Sequence, residues 1–176
     1  MAVTSNTNFL SPVEFKLVLN RLPNVEFFVK SVNIPGISSG QTDRQTPFKT
    51  LYEPGDKLSY EDLTVSVICD EDMRAFAEIS EWLVALTSPE NFSQYAGLNP
   101  ETYGSGGETP DPDGKGVKSN GSLVVLNSNK NANVTIKFSD MFPTAVGSIQ
   151  LDTSGTDLTP PTFEITFKYS NYTIEV

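Results

Sequence analysis

Two groups of carboxylates are the first candidates for chemistry: the pair Glu61 and Asp62, and the triplet Asp70, Glu71 and Asp72. Two carboxyl groups facing each other across a cleft can act as the acid and base of glycoside hydrolysis. The plainer reading puts the pair at a strand edge and the triplet at a helix start. There one carboxylate caps the free amides and the others oppose the positive end. A third acidic run, "DPDGKG" from Asp111 to Gly116, begins like a calcium loop. Continued at EF-hand spacing, it puts Lys115 and Ser122 where an oxygen ligand and a bidentate glutamate are needed. The pattern fails, leaving at most a single-carboxylate contact on a turn. Gly104, Gly106 and Gly107 precede no Lys-Ser/Thr and so form no phosphate loop. Trp82, Tyr95 and Tyr103 are residue types that stack on sugars, although such rings more often pack on a sheet.

The rest of the inventory narrows the chemistry further. The 176 residues include no histidine and one cysteine, Cys69. That removes the usual general base, the usual metal ligand, any internal disulfide and any multi-thiolate zinc site. No cofactor and no catalytic activity are expected. The start "MAVTSNTNFLSPVEF" lacks the basic and apolar regions of a signal peptide, and no apolar run has the length of a membrane span. Synthesis in the cytoplasm without membrane insertion is the expectation. The net charge is −10: residues 1–50 carry five basic and three acidic groups, 51–115 three and fourteen, and 116–176 four and five. Such an acidic central third argues against a protein that grips nucleic-acid phosphates.

What would position these residues is mostly β structure. Ser, Thr, Asn, twelve Gly and twelve Pro stand in place of apolar and charged residues, as in a domain with many turns. "VEFKLVLNRL" alternates Val13, Phe15, Leu17 and Leu19 with polar residues, and "EFFVKSVNI" reads as a second strand ended by Pro35-Gly36. Residues 36 to 58 are polar, with Gly40, Pro47, Pro54 and Gly55 as turn or bulge points, and predict a long exposed hairpin arm. "LTVSVIC" sets Leu63, Val65, Val67 and Cys69 on one face, with Cys69 as a small apolar packer. A helix over about 72–87 follows. Its wheel gathers Met73, Phe76, Ala77, Ile79, Leu83, Val84 and Leu86 opposite Arg74, Glu78 and Glu81, with Arg74 and Glu78 as an i,i+4 pair. Residues 88–122, rich in Gly and Pro, predict a long loop or insertion. Strands "SLVVLN", "NVTIKFSDMF", "GSIQLD" and "TFEITFKYSNYTIEV" follow. In the last, Phe163, Ile165, Phe167 and Tyr169 have one parity and Tyr172 and Ile174 the other, which demands a break near Ser170–Asn171. The fold class is mainly β: one domain over 1–176, an antiparallel sandwich or half-open barrel with one amphipathic helix and a projecting arm.

The order of these pieces resembles the tail tube proteins of contractile-tailed, myovirus-type bacteriophages. The resemblance rests on "YEDLTVSVICDED" and its helix, on "NIPGIS" with Pro35 and Gly36, and on "DMFPTAVGSIQLD" with the closing strand. The matching residues there are Phe142, Pro143, Thr144, Val146, Gly147, Leu151, Asp152, Phe163, Glu164 and Thr166. It covers the chain from about Asn8 onward, with the 88–122 segment as a departure. It implies a structural virion protein whose hexameric rings stack into the inner tube of a contractile sheath, through which DNA passes. Its partners would be other copies and the sheath, baseplate and tail-terminator proteins. Related tubes serve type VI secretion. On this reading "DMFPTAVGSIQLD" is a shape-setting connector. The arm would make the contacts between subunits through Ile37, Gln41, Thr42, Asp43, Arg44, Gln45, Phe48 and Leu51, with Gln41 to Gln45 at its tip. Glu53, Asp56, Glu61 and Asp62 are candidates for a lumen that repels phosphates. A tube-initiating baseplate component, a secretion-system tube, and a monomeric carbohydrate-binding or adhesion module using Trp82, Tyr95 and Tyr103 remain the alternatives.

Overall fold

The computed structural model describes residues 10, 12–87, 98, 116–152 and 159–175. Tyr95, Tyr103, the glycines at 104–107 and most of the 88–122 segment lie outside the described residues. Among the described residues, nine strands and two helices occur in the order β1 (Phe15–Leu19), α1 (Pro23–Phe27), β2 (Val29–Val32), β3 (Ile37–Gln45), β4 (Thr50–Tyr60), β5 (Leu63–Ile68), α2 (Arg74–Thr87), β6 (Ser119–Leu126), β7 (Ala132–Val146), β8 (Thr162–Lys168) and β9 (Asn171–Glu175).

All pairings are antiparallel. One sheet runs β1-β6-β7-β8-β5-β2 with β9 also on β7, while β3 and β4 form a separate two-stranded arm. The large sheet folds over at one corner. The first half of β7 pairs with β6 and β9, and its second half pairs with β8. Both long strands break at that level. Asp140 takes a left-handed φ of 57°, and its N–H donates to the Asn120 side chain at 3.2 Å. Opposite it, β8 ends at Lys168 and β9 starts at Asn171, the break that the parity change requires. Ser170 N–H closes the corner on the Ser139 carbonyl at 3.0 Å.

The core lies between the folded halves. Leu63, Val65 and Val67 of β5, Phe163, Ile165 and Phe167 of β8, Ile136 and Phe138 of β7 and Leu123 of β6 are all buried. Helix α2 covers this core, and Asp70 caps it by accepting from the N–H groups of Arg74 at 2.9 Å and Ala75 at 3.3 Å.

Several expectations need correction. The helix buries Ala75, Ile79 and Trp82, while Met73, Ala77 and Val84 are exposed. Apolar residues occupy most of its circumference, so the wheel does not fix the phase. Small Ala75 lets the backbone sit close on the strands. Arg74 pairs with Asp72 at 3.2 Å rather than with Glu78, whose carboxylate accepts from Asn24 of α1. The second strand starts only at Val29. Pro23 opens a helical turn in front of it and Val25 is driven fully inside. Val13 precedes β1 and is exposed, and β6 starts at Ser119 within the expected loop. "GSIQLD" forms no strand, and Asp140 to Val146 is the second half of β7 rather than a connector. Pro143 is tolerated there because β6 no longer accompanies β7 beyond Met141, so that side of the strand needs no donor.

Candidate assembly surface

The arm projects as a bare hairpin. Every residue of β3 is exposed, as are most of β4. Its tip is the turn Thr46–Lys49, where Thr46 N–H donates to the Lys49 carbonyl at 3.1 Å and Lys49 N–H to Thr46 Oγ1 at 3.2 Å. Phe48 stands on this turn with 97% of its surface in water. Gln41 to Gln45, expected at the tip, run along β3 instead.

Register sorts the arm into two faces, because partners across a ladder point the same way. One face carries Ile37, Gln41, Asp43 and Gln45 opposite Tyr60, Pro54, Tyr52 and Thr50, together with Leu58. The other carries Thr42 and Arg44 opposite Glu53 and Leu51. The first is apolar along much of its length, and Ile37, Leu58 and Tyr52 leave 53%, 55% and 69% of their surfaces exposed. Tyr52, Pro54 and Leu58 were missed in the sequence. Their signal is the even-numbered alternation Tyr52, Pro54, Leu58, Tyr60, which Asp56 interrupts. On the polar face Arg44 lies 4.0 Å from Glu53.

The base of the arm is gripped by aromatics. Tyr60 packs between Tyr169 and Tyr172, with ring centroids 5.7 and 5.4 Å away, and both of those rings also meet Phe138. Tyr172 donates its hydroxyl to the Pro35 carbonyl at 3.1 Å, just before β3. Tyr169 donates to the Glu61 carbonyl at 2.8 Å, just after β4. Burial, and after it the neighbouring Tyr172, Tyr60, Asp62 and Glu61, push the Tyr169 phenol up to about 12. The Glu61 carboxylate accepts from Gly36 N–H at 3.2 Å, and Asp62 pairs with Lys168. Asn33 and Thr64 add a further tie, with Thr64 N–H donating to the Asn33 side chain at 2.6 Å.

This geometry uses the candidate carboxylates structurally. Glu61, Asp62 and Asp70 each hold backbone or a lysine, and Glu53 and Asp56 stand on the arm. Among the described residues no group of three or more His, Cys, Asp or Glu is placed to hold a metal. Trp82 is buried, with its indole N–H donating to the Val117 carbonyl at 3.3 Å and the Arg21 guanidinium 5.0 Å from its ring. It is not a sugar platform. Cys69 is half-buried against the core, and burial raises its thiol pKa.

The motif residues of "DMFPTAVGSIQLD" meet the closing strand. Thr144 Oγ1 donates to the Thr166 carbonyl at 3.1 Å, and Gly147 N–H donates to the Glu164 carbonyl at 2.7 Å. Phe142 and Val146 pack against the core and Phe163 is buried in it, whereas Leu151 and Asp152 are exposed. The outward faces of β5 and β8 carry Thr64 opposite Thr166 and Ser66 opposite Glu164. Glu164 is thus a strand-face carboxylate of the body, and the sequence reading had placed it only as a motif residue.

No protein-family model matches the chain, and no curated protein is significantly similar in sequence. Solved structures do match over the whole length. The cap that terminates the anti-feeding prophage tube aligns with a TM-score of 0.64 at 14% identity, covering 99% of this chain and 95% of that one. The sheath/tube terminator of PVC, an extracellular contractile injection system, aligns in its extended state at 0.61 and 14%, covering 97% and 100%. The chain shares the fold of these two proteins. A further match, from the extended PVC sheath–tube complex, aligns at 0.61 and 13% over 99% of both chains. In this chain that fold presents a mixed Ser/Thr-rich sheet surface and a projecting arm anchored by three tyrosines.

Proposed function

We propose that this chain is a structural subunit of the inner tube of a contractile tail or injection device, assembling as stacked hexameric rings. The observation that carries the reading is end-to-end likeness to components of such devices in a chain whose arm is bare of its own body. An exposed two-stranded hairpin with an apolar face is a liability in a monomer and a ready contact in an assembly. Head-to-tail contacts that close make rings, and rings that repeat make a filament. The arm residues Ile37, Gln41 to Gln45, Phe48 and Leu51, with Tyr52 and Leu58, supply contacts between copies. The Thr64, Ser66, Glu164 and Thr166 face suits a wet channel wall through which DNA slides, since its hydroxyls and carboxylate do not neutralise phosphate. Sheath, baseplate and terminator proteins are the remaining partners, the assembled particle's tail is the site of action, and the role is structural rather than catalytic.

A second reading is a component that ends or starts the tube, favoured by two of the similar structures being a terminating cap and a sheath/tube terminator. Negative-stain electron microscopy of the purified chain across a concentration series separates the two. A tube subunit yields hollow tubes that lengthen with concentration, and a terminator yields single rings. A chain that stays monomeric at every concentration, even with preformed tube fragments added, overturns both.

A further inference from the structure

The ladder of the arm is interrupted at one place. Between the pairs Ser39–Leu58 and Gln41–Pro54, the single residue Gly40 on β3 faces Gly55, Asp56 and Lys57 on β4. A surplus of two residues keeps side-chain parity, so each face of the arm continues through the interruption while the strand can change direction. The two backbones nearly touch there. A Cβ on Gly55 would lie 2.7 Å from both the carbonyl carbon and oxygen of Gly40, whereas a Cβ on Gly40 would meet nothing within 4 Å. Neither glycine has a left-handed φ, and among the described glycines Gly116 does. Gly55 therefore supplies space rather than backbone freedom.

We propose that the Gly40–Gly55 crossing is an elbow that sets the direction of the distal arm. The basal segment, Ile37–Ser39 with Leu58–Tyr60, is held by Tyr169 and Tyr172 at its ends. The distal segment, Gln41–Gln45 with Thr50–Pro54, carries Arg44, Tyr52 and the Phe48 turn beyond the elbow. A side chain at position 55 must push the strands apart at the crossing and swing everything past it. Gly55 and the surplus residues Asp56 and Lys57 are then positioning residues for the arm's contacts. That consequence rests on the tube reading, but the elbow itself does not.

Pulsed electron spin-distance measurements test the elbow. Nitroxide labels go on cysteines at Gln45, beyond the elbow, and at exposed Asn129 on the body, in a Cys69→Ser background. The unmodified arm and Gly40→Ala should give the same distance peak. Gly55→Ala should displace or broaden it, and so should deletion of Asp56 and Lys57, which restores one-to-one pairing without changing parity. A folded Gly55→Ala protein whose peak does not move overturns the elbow. If that variant fails to fold, the deletion variant decides on the same criterion. Electron microscopy of the same proteins keeps the two ideas apart: a displaced arm with normal tubes upholds the elbow and overturns the arm's role in assembly.

Discussion

Tyr172 reaches back 137 residues to place its hydroxyl 3.1 Å from the carbonyl of Pro35. With Tyr169 on the Glu61 carbonyl, it fastens both ends of the arm to one corner of the body. Each bond is worth about 1 kcal/mol net by ordinary hydrogen-bond energetics. Tyr172→Phe should keep the fold, lower global stability by no more than about that amount, and speed amide exchange in β3 and β4. Hydrogen-exchange mass spectrometry reads the difference. Arm protection equal to that of the unmodified protein would show that the aromatic stack alone holds the base.

Tyr169 gives the arm base an alkaline limit. Its phenol is pushed up to about 12, chiefly by burial and then by Tyr172, Tyr60, Asp62 and Glu61. An unfolded tyrosine titrates near 10. The folded state therefore favours the protonated phenol, and this contribution is complete below about pH 10 and lost as pH rises toward about 12. Urea midpoints should fall across that window, and Tyr169→Phe should flatten the fall. An equally steep decline in the Phe variant would assign it to other groups.

Gly147→Ala should destabilise the β7–β8 junction. Its Cβ would sit 3.2 Å from the Glu164 nitrogen and 3.3 Å from the Glu164 oxygen, both backbone atoms with little room to yield. Overpacking of this kind costs about 1–3 kcal/mol, readable from the shift in urea midpoint at unchanged slope. An unchanged midpoint would mean that the strands part without cost.

Arg44→Glu combined with Phe48→Ala should leave the monomer folded and abolish tubes. Both side chains lie on the exposed arm, and Phe48 makes almost no contact with its own chain. Circular dichroism checks the fold and electron microscopy the assembly. Tubes of normal length from the double variant would remove the arm tip from the interface.

Strand β5, a carboxylate cap from the Asp70–Asp72 triplet and the break before Asn171 were legible in the sequence because each is written locally, in alternation or in capping chemistry, while the choice of Asp70 within the triplet came from the structure. The turn of helix at Pro23–Phe27 was not, since Phe27 and Phe28 read equally well as strand residues until Val25 has a core to enter. The phase of α2 was hidden by apolar residues on most of its sides. The second half of β7 reads as a connector in the sequence because Pro143 and Thr144 are turn formers, and only the departure of β6 at Met141 makes a proline acceptable there. For the assembly surface, the sequence showed that an arm exists and where it starts. The apolar face is written only in the even-numbered alternation of β4, which Asp56 interrupts, and which β3 residues join it depends on the register across Gly40, a property of pairing rather than of either strand alone.

The tyrosine anchorage also makes the arm a cassette. The body grips the chain at Pro35 and Gly36 on the way out and at Tyr60 to Asp62 on the way back. Insertion or deletion of whole pairs of residues between those points keeps side-chain parity and leaves both grips in place. Reach is thereby uncoupled from fold, so that one body can carry arms of different span, graded two ladder positions at a time.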